Sequence, residues 1–468
     1  MTPKYDLISD SAVLFILGNE IDISLSRRIA SLSAALPPDG IVDRVPSYTT
    51  LLIQFDPHVL NVGHLIKLVA ELWAGCDEPA STSSTDREIV IPVAYGGRHG
   101  PDLAVVARHA GLSVNEVVLK HSAAVYSVGA IGFSPGFGYL SGLPPELATP
   151  RLPIPRLRVP EGSLAIGAAQ SAVYPVETAG GWNIIGRTSL SLFDSDRPDP
   201  FLLRVGDTVR FRSVRNIPVS PLIRTYRKRS DSQGIAVLTP GLLTTIQDLG
   251  RFGYGAFGIS PNGAADQRAS RLGNRLVGND QSASVLEITL VGPHLRFDTG
   301  VICAVTGEGP DPRLNGDPIP RNQAFRAYLG DHLAFDPIDK SAGARCYLAI
   351  AGGFDVPVVM GSRSTDLVAG IGGIEGRALI QGDVLSTGKP THRPIFATAP
   401  EPTRTRTRLR IMPGPQRSCF SDTTWHRLTQ REFRVTNDAN RVGIRLEGPA
   451  LQPRQRIEMI SEGVVTGS

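Results

Sequence analysis

The sequence has few cysteines, few lysines and no long hydrophobic run. Its four cysteines, Cys76, Cys303, Cys346 and Cys419, are widely spaced and form no C-x-x-C pair. Neither a zinc site nor a disulfide framework is therefore predicted, which fits a reducing cytoplasm. No stretch approaches the roughly 18 apolar residues of a membrane helix, and the N-terminus lacks a basic segment followed by an apolar one. We expect a cytoplasmic protein without a signal peptide or membrane span.

An excess of charge of one sign is also lacking. The 468 residues carry a net charge of +4, and arginine supplies nearly all of the positive charge. The one basic cluster, residues 224–229, is interpreted as a solvated linker because the other arginines are scattered. Nucleic acid is therefore not expected as a partner.

Glycine and proline, in contrast, are abundant, with 49 and 37 residues. They predict many turns and short strands, and the length predicts two to four domains. Residues 1–85 have the pattern of a small α/β domain, with a strand at Ala12–Leu17 and a helix capped by Asp22. Residues 86–214 predict a β-barrel or sandwich, which includes a capping box at Ser113–Glu116 and a strand at Leu190–Phe193. Residues 215–233 have linker composition, and residues 234–468 form a second β-rich module.

A loop of alternating glycines and aromatics, Gly132–Tyr139, stands out in the first half. Glycine permits positive φ and close approach, and proline stiffens the turn. The loop therefore lines a cleft or closes a tight barrel corner, and the spacing leaves both open. Its candidate contacts are Phe133, Ser134, Gly136 and Tyr139. The segment also fits G-x-S-x-G, the motif of a nucleophile elbow. Such an elbow needs a helix after it, and the glycines and prolines that follow do not predict one.

Three polar residues near this loop are further candidates. His121 lies just ahead of it, either as a proton carrier or phosphate contact at the cleft or as a partly buried, hydrogen-bonded histidine. Gln170 and Arg187 lie in one segment, residues 167–188, and an arginine at a strand end suits bidentate capture of a carboxylate or phosphate. A surface ion pair is the equally supported alternative for Arg187.

The second module has its own polar group in a glycine-rich stretch, formed by Gln247, Asp248, Arg251, Asp266 and Asn274. Carboxylates near an arginine act as general bases or Mg²⁺ ligands, but they also form turns and helix caps. The sequence match to G-x-G-x-x-G at residues 253–258 lacks the strand and helix of a dinucleotide site. A P-loop is missing, because the one Gly-Lys pair runs into Pro390.

Together these segments resemble a known family. Residues 1 to about 215 resemble the first subunit of the allophanate-hydrolase-like, or KipI, family, through His121, the GFSPGFGYLSGLP segment, Pro150-Arg151, Gly180-Gly-Trp182 and Ile185-Gly-Arg-Thr188. Residues from about 234 resemble the second subunit, or KipA, family, through Gly241–Arg251, Gly263-Ala-x-Asp266, Tyr347–Gly353 and Gly361-Ser-x-Ser-Thr365.

The resemblance implies fused B and C subunits of an ATP-dependent 5-oxoprolinase. It implies tandem cyclophilin-like β-barrels, the first preceded by the small α/β domain, in a mainly β fold. The pair would use ATP, with Mg²⁺, to phosphorylate 5-oxoproline, and a separate A subunit of the LamB/YcsF type would complete ring opening to glutamate. His121, Asp248 and Asp266 are the expected catalytic residues, and no metal ligand is assigned. The expected substrate or nucleotide contacts are Phe133, Ser134, Gly136, Tyr139, Gln170, Arg187, Gln247, Arg251 and Asn274.

Two other functions follow from related modules. One is carboxyl transfer from carboxybiotin to urea or a similar amide, although no Met-Lys biotinylation pair is present. The other is inhibition of a sensor kinase. Compared with the family pattern, Ala179 replaces a proline, and the sequence stops at Ser468, before the final strands. We therefore expect open strand edges in the second barrel, which favour self-association and put activity in question.

Overall fold

The computed structural model describes residues 3–76, 87–217, 234–338, 343–396, 409–441, 443–455 and 461–467. By its internal contacts the chain divides into two compact units, one built from residues 1–84 and 406–468 and the other from residues 85–405. Within the described residues, no helix has both the length and the apolarity needed to cross a bilayer.

The N-terminal part is a four-stranded antiparallel sheet covered by two helices. The elements are β1 Lys4–Ser9, β2 Ala12–Ile16, α1 Ile23–Ala35, β3 Ile41–Pro46, β4 Thr50–Phe55 and α2 Val62–Gly75. The strand order is β1-β2-β4-β3. The predicted α/β character is confirmed, and Asp22 caps α1 by accepting the Leu25 N–H at 2.8 Å. The core lies between the sheet and the helices, where Phe15, Ile29 and Leu65 are fully buried.

The next part is a closed seven-stranded barrel. Its elements are β5 Glu88–Tyr95, α3 Leu103–Ala110, α4 Val114–Ala123, β6 Val125–Ile131, β7 Gly138–Ser141, β8 Arg156–Val159, β9 Ser163–Gly167, β10 Gln170–Val173, β11 Thr178–Gly180, β12 Asn183–Arg187 and β13 Thr208–Ser213. The barrel order is β10-β7-β6-β13-β5-β12-β9, and β8 and β11 form a separate two-stranded sheet. The mainly β prediction is confirmed, as is the capping box of Ser113 and Glu116 at the start of α4.

The predicted strand at Leu190–Phe193 is wrong. Only Phe193 pairs, through an isolated bridge to Phe201. The apolar side chain of Phe193 instead packs against residues of the second module. The apolar residues of this segment therefore pack between the two modules. A local sequence pattern cannot distinguish such residues from those of a buried strand.

The second module consists of two sheets around a shared core. Its elements are β14 Ile235–Thr239, β15 Leu243–Gln247, α5 Gln267–Leu276, β16 Val285–Thr289, β17 His294–Phe297, β18 Val301–Glu308, β19 Pro312–Leu314, β20 Asp317–Pro318, β21 Ala324–Ala327, β22 His332–Phe335, β23 Arg345–Ile350 and β24 Val384–Leu385. The sheet orders are β20-β19-β22-β17-β14-β24 and β15-β16-β23-β18-β21. Both sheets contribute side chains to one core, among them Val237, Leu295 and Leu348.

The last described residues belong with the N-terminal sheet. They contain α6 Asp422–Gln430 and the two-stranded pair β25 Arg434–Val435 and β26 Leu446–Glu447. The Ser47 hydroxyl donates to the Ser461 carbonyl. Val465 packs against Leu14 and Leu52, on the sheet face opposite to α1 and α2. The segment at residues 461–467 thus covers apolar surface that the two helices leave open.

Candidate functional site

A cleft of about 2060 Å³ lies within the unit of residues 85–405, between the barrel and the second module. The barrel contributes Glu161, Phe193 and Asp194 to its wall. The second module contributes the glycine-rich segment from Gly370 to Gly376. The cleft exceeds the few hundred to about 1,000 Å³ of a typical small-molecule site, so it has room for more than one substrate.

Among the charged side chains that line the cleft, acidic ones predominate. Its carboxylates are Glu161, Glu177, Asp194, Asp196, Asp355, Glu375 and Asp383, and its arginines are Arg363 and Arg377. Arg377 is fully engaged, with ion pairs to Glu375 at 3.1 Å and Asp383 at 2.8 Å. A free polyanion would meet repulsion in this cleft, whereas an anion carrying a divalent cation would not.

The loop Gly132–Gly138 joins the two modules beside this cleft. The Gly136 N–H donates to the Phe257 carbonyl at 2.8 Å, and the Phe257 ring stacks on Phe201 with centroids 4.3 Å apart. Gly258 has φ +77° and lies so close to Ser134 that a Cβ there would come within 2.6 Å of the Ser134 carbonyl oxygen. Glycine is therefore required at Gly258 by both backbone conformation and contact.

The same loop connects two antiparallel strands, β6 and β7, and not a strand and a helix. The expectation that Ser134 is not a nucleophile elbow is therefore confirmed. Ser134 is fully buried, and its hydroxyl has no hydrogen-bond partner among the described residues. Phe133 has φ +71°, which is strained for a bulky residue, and its side chain is 56% exposed.

Behind Phe133 lies a group of packed aromatic rings. The Phe137 ring contacts those of Phe133, Tyr139, Tyr174 and Trp182 at centroid distances of 5.3, 5.0, 5.2 and 5.7 Å. Burial raises the pKa of both tyrosine hydroxyls, so these groups stay protonated at neutral pH. Sequence reasoning selected Phe133 and Tyr139 as contacts but not Trp182, although the Gly-Gly-Trp segment was part of the family resemblance.

His121 lies inside the barrel wall and not on the cleft surface. Its ring bonds the Tyr95 hydroxyl and the Ser171 hydroxyl, both at 3.0 Å, and packs against Phe211. Burial lowers the pKa of His121 to about 3, so the imidazole is neutral at physiological pH. In this structure His121 ties α4 to the barrel, and its catalytic role stays a prediction.

Arg187 is half-buried at the end of β12. Its Nε donates to the carbonyl of Glu161, a cleft residue, at 2.9 Å. Burial, followed by the positive charges of Arg98 and Arg187, lowers the pKa of His99. The end of the barrel therefore carries positive charge next to an acidic cleft. Gln170 is the first residue of β10 and lies opposite Gly167 of the neighbouring strand β9.

In the second module the structure brings Gln247, Asp248 and Arg251 together with the segment Ser362–Thr365. Asp248 is buried and accepts hydrogen bonds from the Ser362 and Ser364 hydroxyls at 2.7 and 2.6 Å, and from the backbone N–H of Arg363 at 2.6 Å. Gln247 donates to the Thr365 carbonyl at 3.1 Å. These serine and threonine partners were not selected from the sequence, although Gly361-Ser-x-Ser-Thr365 was among the matching motifs.

Arg251 is only 1% exposed. Its Nε donates to the Val359 carbonyl at 2.9 Å and its Nη2 to the Ser364 carbonyl at 3.0 Å, while Nη1 has no partner within the described residues. Burial lowers the pKa of Arg251, and the charges of Asp366 and Asp248 oppose that shift. The guanidinium lies directly under Gly372, a residue of the cleft wall.

Asp266 and Asn274 have structural contacts on α5. Asp266 is the N-cap and accepts the N–H groups of Arg268 and Ala269 at 3.0 Å. Asn274 is fully buried, and its amide donates to the Ala283 carbonyl at 2.7 Å. The functional roles expected for both residues stay predictions.

The described residues contain no group of three or more His, Cys, Asp or Glu side chains that could hold a metal ion. Mg²⁺ usually keeps several waters and binds through one or two carboxylates plus substrate phosphates. Asp194 and Asp196 are two carboxylates of the cleft wall, and Asp194 already accepts the Asp196 N–H and pairs with Arg197, both at 3.1 Å.

Comparison with known proteins assigns both halves to one family. Residues 3–203 match the carboxyltransferase domain, subdomain C and D, and residues 257–468 match the carboxyltransferase domain, subdomain A and B.

Individual relatives match one half each. The 5-oxoprolinase B subunit of Escherichia coli O157:H7 is 44% identical over 207 residues, which cover 44% of this chain and 93% of that protein. The 5-oxoprolinase C subunit of Escherichia coli strain K12 is 38% identical over 233 residues, which cover 50% of this chain and 74% of that protein. The crystal structure of TTHA0988 matches both halves, with a TM-score of 0.81 and 36% identity over 94% of this chain and 86% of that one.

Proposed function

The chain belongs to the carboxyltransferase-domain family, and we propose that it is a 5-oxoprolinase component that combines the roles of the B and C subunits in one polypeptide. The observation that carries this proposal is the cleft. The relatives named as B and C subunits each match one half of the chain, and the two halves meet around that cleft within one compact unit.

The proposed reaction is activation of 5-oxoproline by ATP. The terminal phosphoryl group moves to the lactam oxygen, ADP leaves, and the ring carbon becomes electrophilic enough for attack by water. The C–N bond then breaks to give γ-glutamyl phosphate. A second water hydrolyses this acyl phosphate, and the final products are glutamate, ADP and phosphate. A phosphoryl transfer of this kind depends mainly on positioning and on stabilisation of negative charge.

The acidic cleft supports ATP bound as its magnesium complex. The carboxylate of Asp196, and that of Asp194 once it releases Arg197, would hold the ion together with the nucleotide phosphates. Bound Mg²⁺ would supply neutralisation of phosphate charge. The buried Arg251, whose Nη1 has no partner among the described residues, adds a positive charge beneath the Gly372 backbone.

The residues selected from the sequence divide into two groups under this proposal. Gln247, Asp248 and Arg251 shape the wall segment of the second module, and the loop with Phe133, Ser134 and Gly136 holds the modules together beside the cleft. For the ring-opening step we propose a separate A-type subunit as partner. A cytoplasmic location is part of the proposal and is supported by the four unpaired cysteines.

The test is ATP hydrolysis by the purified chain with an A-type subunit, with and without 5-oxoproline. We expect ADP release that depends on 5-oxoproline and matches glutamate formation one to one. Hydrolysis without stimulation, or stimulation without glutamate, would contradict the proposal.

A matched control uses urea with a carboxybiotin-loaded carrier in place of 5-oxoproline. Carboxyl transfer in that assay, with no response to 5-oxoproline, would assign the chain to the carboxyltransferase activity instead. A further control is 2-pyrrolidinone, which has the lactam but lacks the carboxylate.

A further inference from the structure

Arg151 lies beside the aromatic group of the barrel. Its backbone is held in place, whereas its guanidinium has no polar partner among the described residues. The Asn183 amide donates to the Pro150 carbonyl at 2.8 Å, and the Leu152 N–H donates to the Gly181 carbonyl at 2.7 Å. These two bonds fix the chain on either side of Arg151. The side chain itself is exposed.

The guanidinium of Arg151 lies over the Trp182 ring, 5.5 Å from its centroid. Trp182 is held in turn by close contact of its ring with Gly167, where a Cβ would come within 2.3 Å. The tryptophan therefore acts as a fixed platform that restricts where the guanidinium can go. A cation–π contact of this kind orients an arginine without using its N–H donors.

Three other arginines of the barrel are already engaged. Arg156 pairs with Asp102 at 2.7 Å, Arg158 pairs with Glu177 at 2.7 Å, and Arg187 donates through Nε to the Glu161 carbonyl. Arg151 makes neither an ion pair nor a side-chain hydrogen bond with the described part of the chain. Its full set of donors is available to a ligand.

The surroundings of Arg151 are suited to a small ring that carries an anion. The Tyr139 side chain is partly exposed. Burial raises the pKa of its hydroxyl, and the positive charge of Arg151 opposes part of that shift. Phe133 belongs to the same aromatic group through its contact with Phe137, and it is held in a strained conformation with more than half of its surface exposed. Strain of this kind persists only where the surrounding structure enforces it, and it clusters at ligand sites.

We propose that Arg151 binds the carboxylate of the substrate, with Tyr139 forming the wall against its ring. The proposal rests on the proposed function, because 5-oxoproline is a five-membered lactam with one carboxylate. Arginine suits such a group because its planar N–H donors match both carboxylate oxygens. Among the residues selected from the sequence, Arg187 was assigned this task, and Arg151 is the less encumbered of the two.

The test compares Arg151→Gln with Arg212→Gln in the complete chain assayed with the A-type subunit. Arg212 is an exposed arginine of the same barrel that lies over no aromatic ring in the described residues. We expect Arg151→Gln to raise the KM for 5-oxoproline about 10- to 100-fold with little change in kcat, as for loss of a charge-assisted bond made equally in ground and transition states. We expect Arg151→Lys to restore part of the affinity and Arg212→Gln to have no effect.

Direct binding separates failure of this inference from failure of the proposed function. Calorimetric titration of the chain with 5-oxoproline should show binding that Arg151→Gln weakens and that 2-pyrrolidinone does not reproduce. Unchanged KM and binding in Arg151→Gln would overturn the role of Arg151 and leave the oxoprolinase proposal standing. A raised KM for ATP in place of 5-oxoproline would also overturn it, by assigning Arg151 to the nucleotide phosphates. If the chain binds 5-oxoproline in a way that depends on Arg151 but does not hydrolyse ATP, only the proposed oxoprolinase reaction would be refuted.

Discussion

Replacement of Asp248 by alanine tests whether this carboxylate is chiefly a structural centre of the second module. Its Oδ1 accepts from the Gly250 N–H and from the hydroxyls of Ser362 and Ser364, and its Oδ2 accepts from the Arg363 N–H. It is also a neighbour of the buried Arg251. The Asp248→Ala variant removes the acceptor for all four donors at once.

The magnitude follows from what the remaining donors can do. The two serine hydroxyls can rotate towards other acceptors, but the two backbone N–H groups cannot, and a buried unsatisfied donor costs about 1–3 kcal/mol. Loss of a charge next to the buried Arg251 adds to this cost. We therefore expect Asp248→Ala to lower the free energy of unfolding by about 3–5 kcal/mol.

The matched control is Asp266→Ala. Asp266 was predicted to be catalytic on the same grounds, but it caps α5 at the surface, where loss of a cap costs about 1 kcal/mol. Urea denaturation followed by circular dichroism, with ATP hydrolysis measured in parallel below the transition, compares the two variants. A cost for Asp248→Ala no larger than that for Asp266→Ala would refute the structural reasoning. A large loss of activity in Asp266→Ala with normal stability would support its catalytic role.

Two further predictions concern buried contacts. Because burial lowers the folded-state pKa of His121 to about 3 against about 6.5 when unfolded, its stabilising contribution is complete above pH 6.5 and falls as the pH decreases towards 3. The stability gap between the wild type and His121→Gln, measured by urea denaturation from pH 7 to pH 4, should therefore narrow in acid, and a constant gap would contradict the buried neutral state. Gly258→Ala should destabilise the protein by about 1–3 kcal/mol more than Gly253→Ala. Both residues have positive φ, which costs alanine about 1–2 kcal/mol, but only at Gly258 would the added Cβ meet the Ser134 carbonyl. Thermal denaturation of the pair checks this, and equal losses would contradict the contact between the modules.

Local features of this protein were readable from the sequence. Asp22 caps α1 by accepting the N–H of the residue three positions later, and Ser113 and Glu116 form a reciprocal capping box at the start of α4. Both signals therefore lie within one helical turn. Short apolar segments interrupted by glycine and proline likewise predicted a mainly β fold, which the closed barrel confirms. The family resemblance added the pairing of two modules, which composition alone did not give.

The tertiary structure decided which distant residues meet. The carboxylate of Asp248 is satisfied by hydroxyls more than 100 residues away, and Gly136 finds its acceptor in Phe257 of the other module. His121, ahead of the conspicuous loop, turns into the barrel interior, while Arg151, in a plain Pro-Arg pair, keeps its donors free over Trp182. Short-range periodicity and capping are properties of neighbouring residues, so a sequence displays them directly. Burial and long-range hydrogen bonds depend on which strands and loops pack together, and a single sequence carries no spacing rule that specifies those contacts.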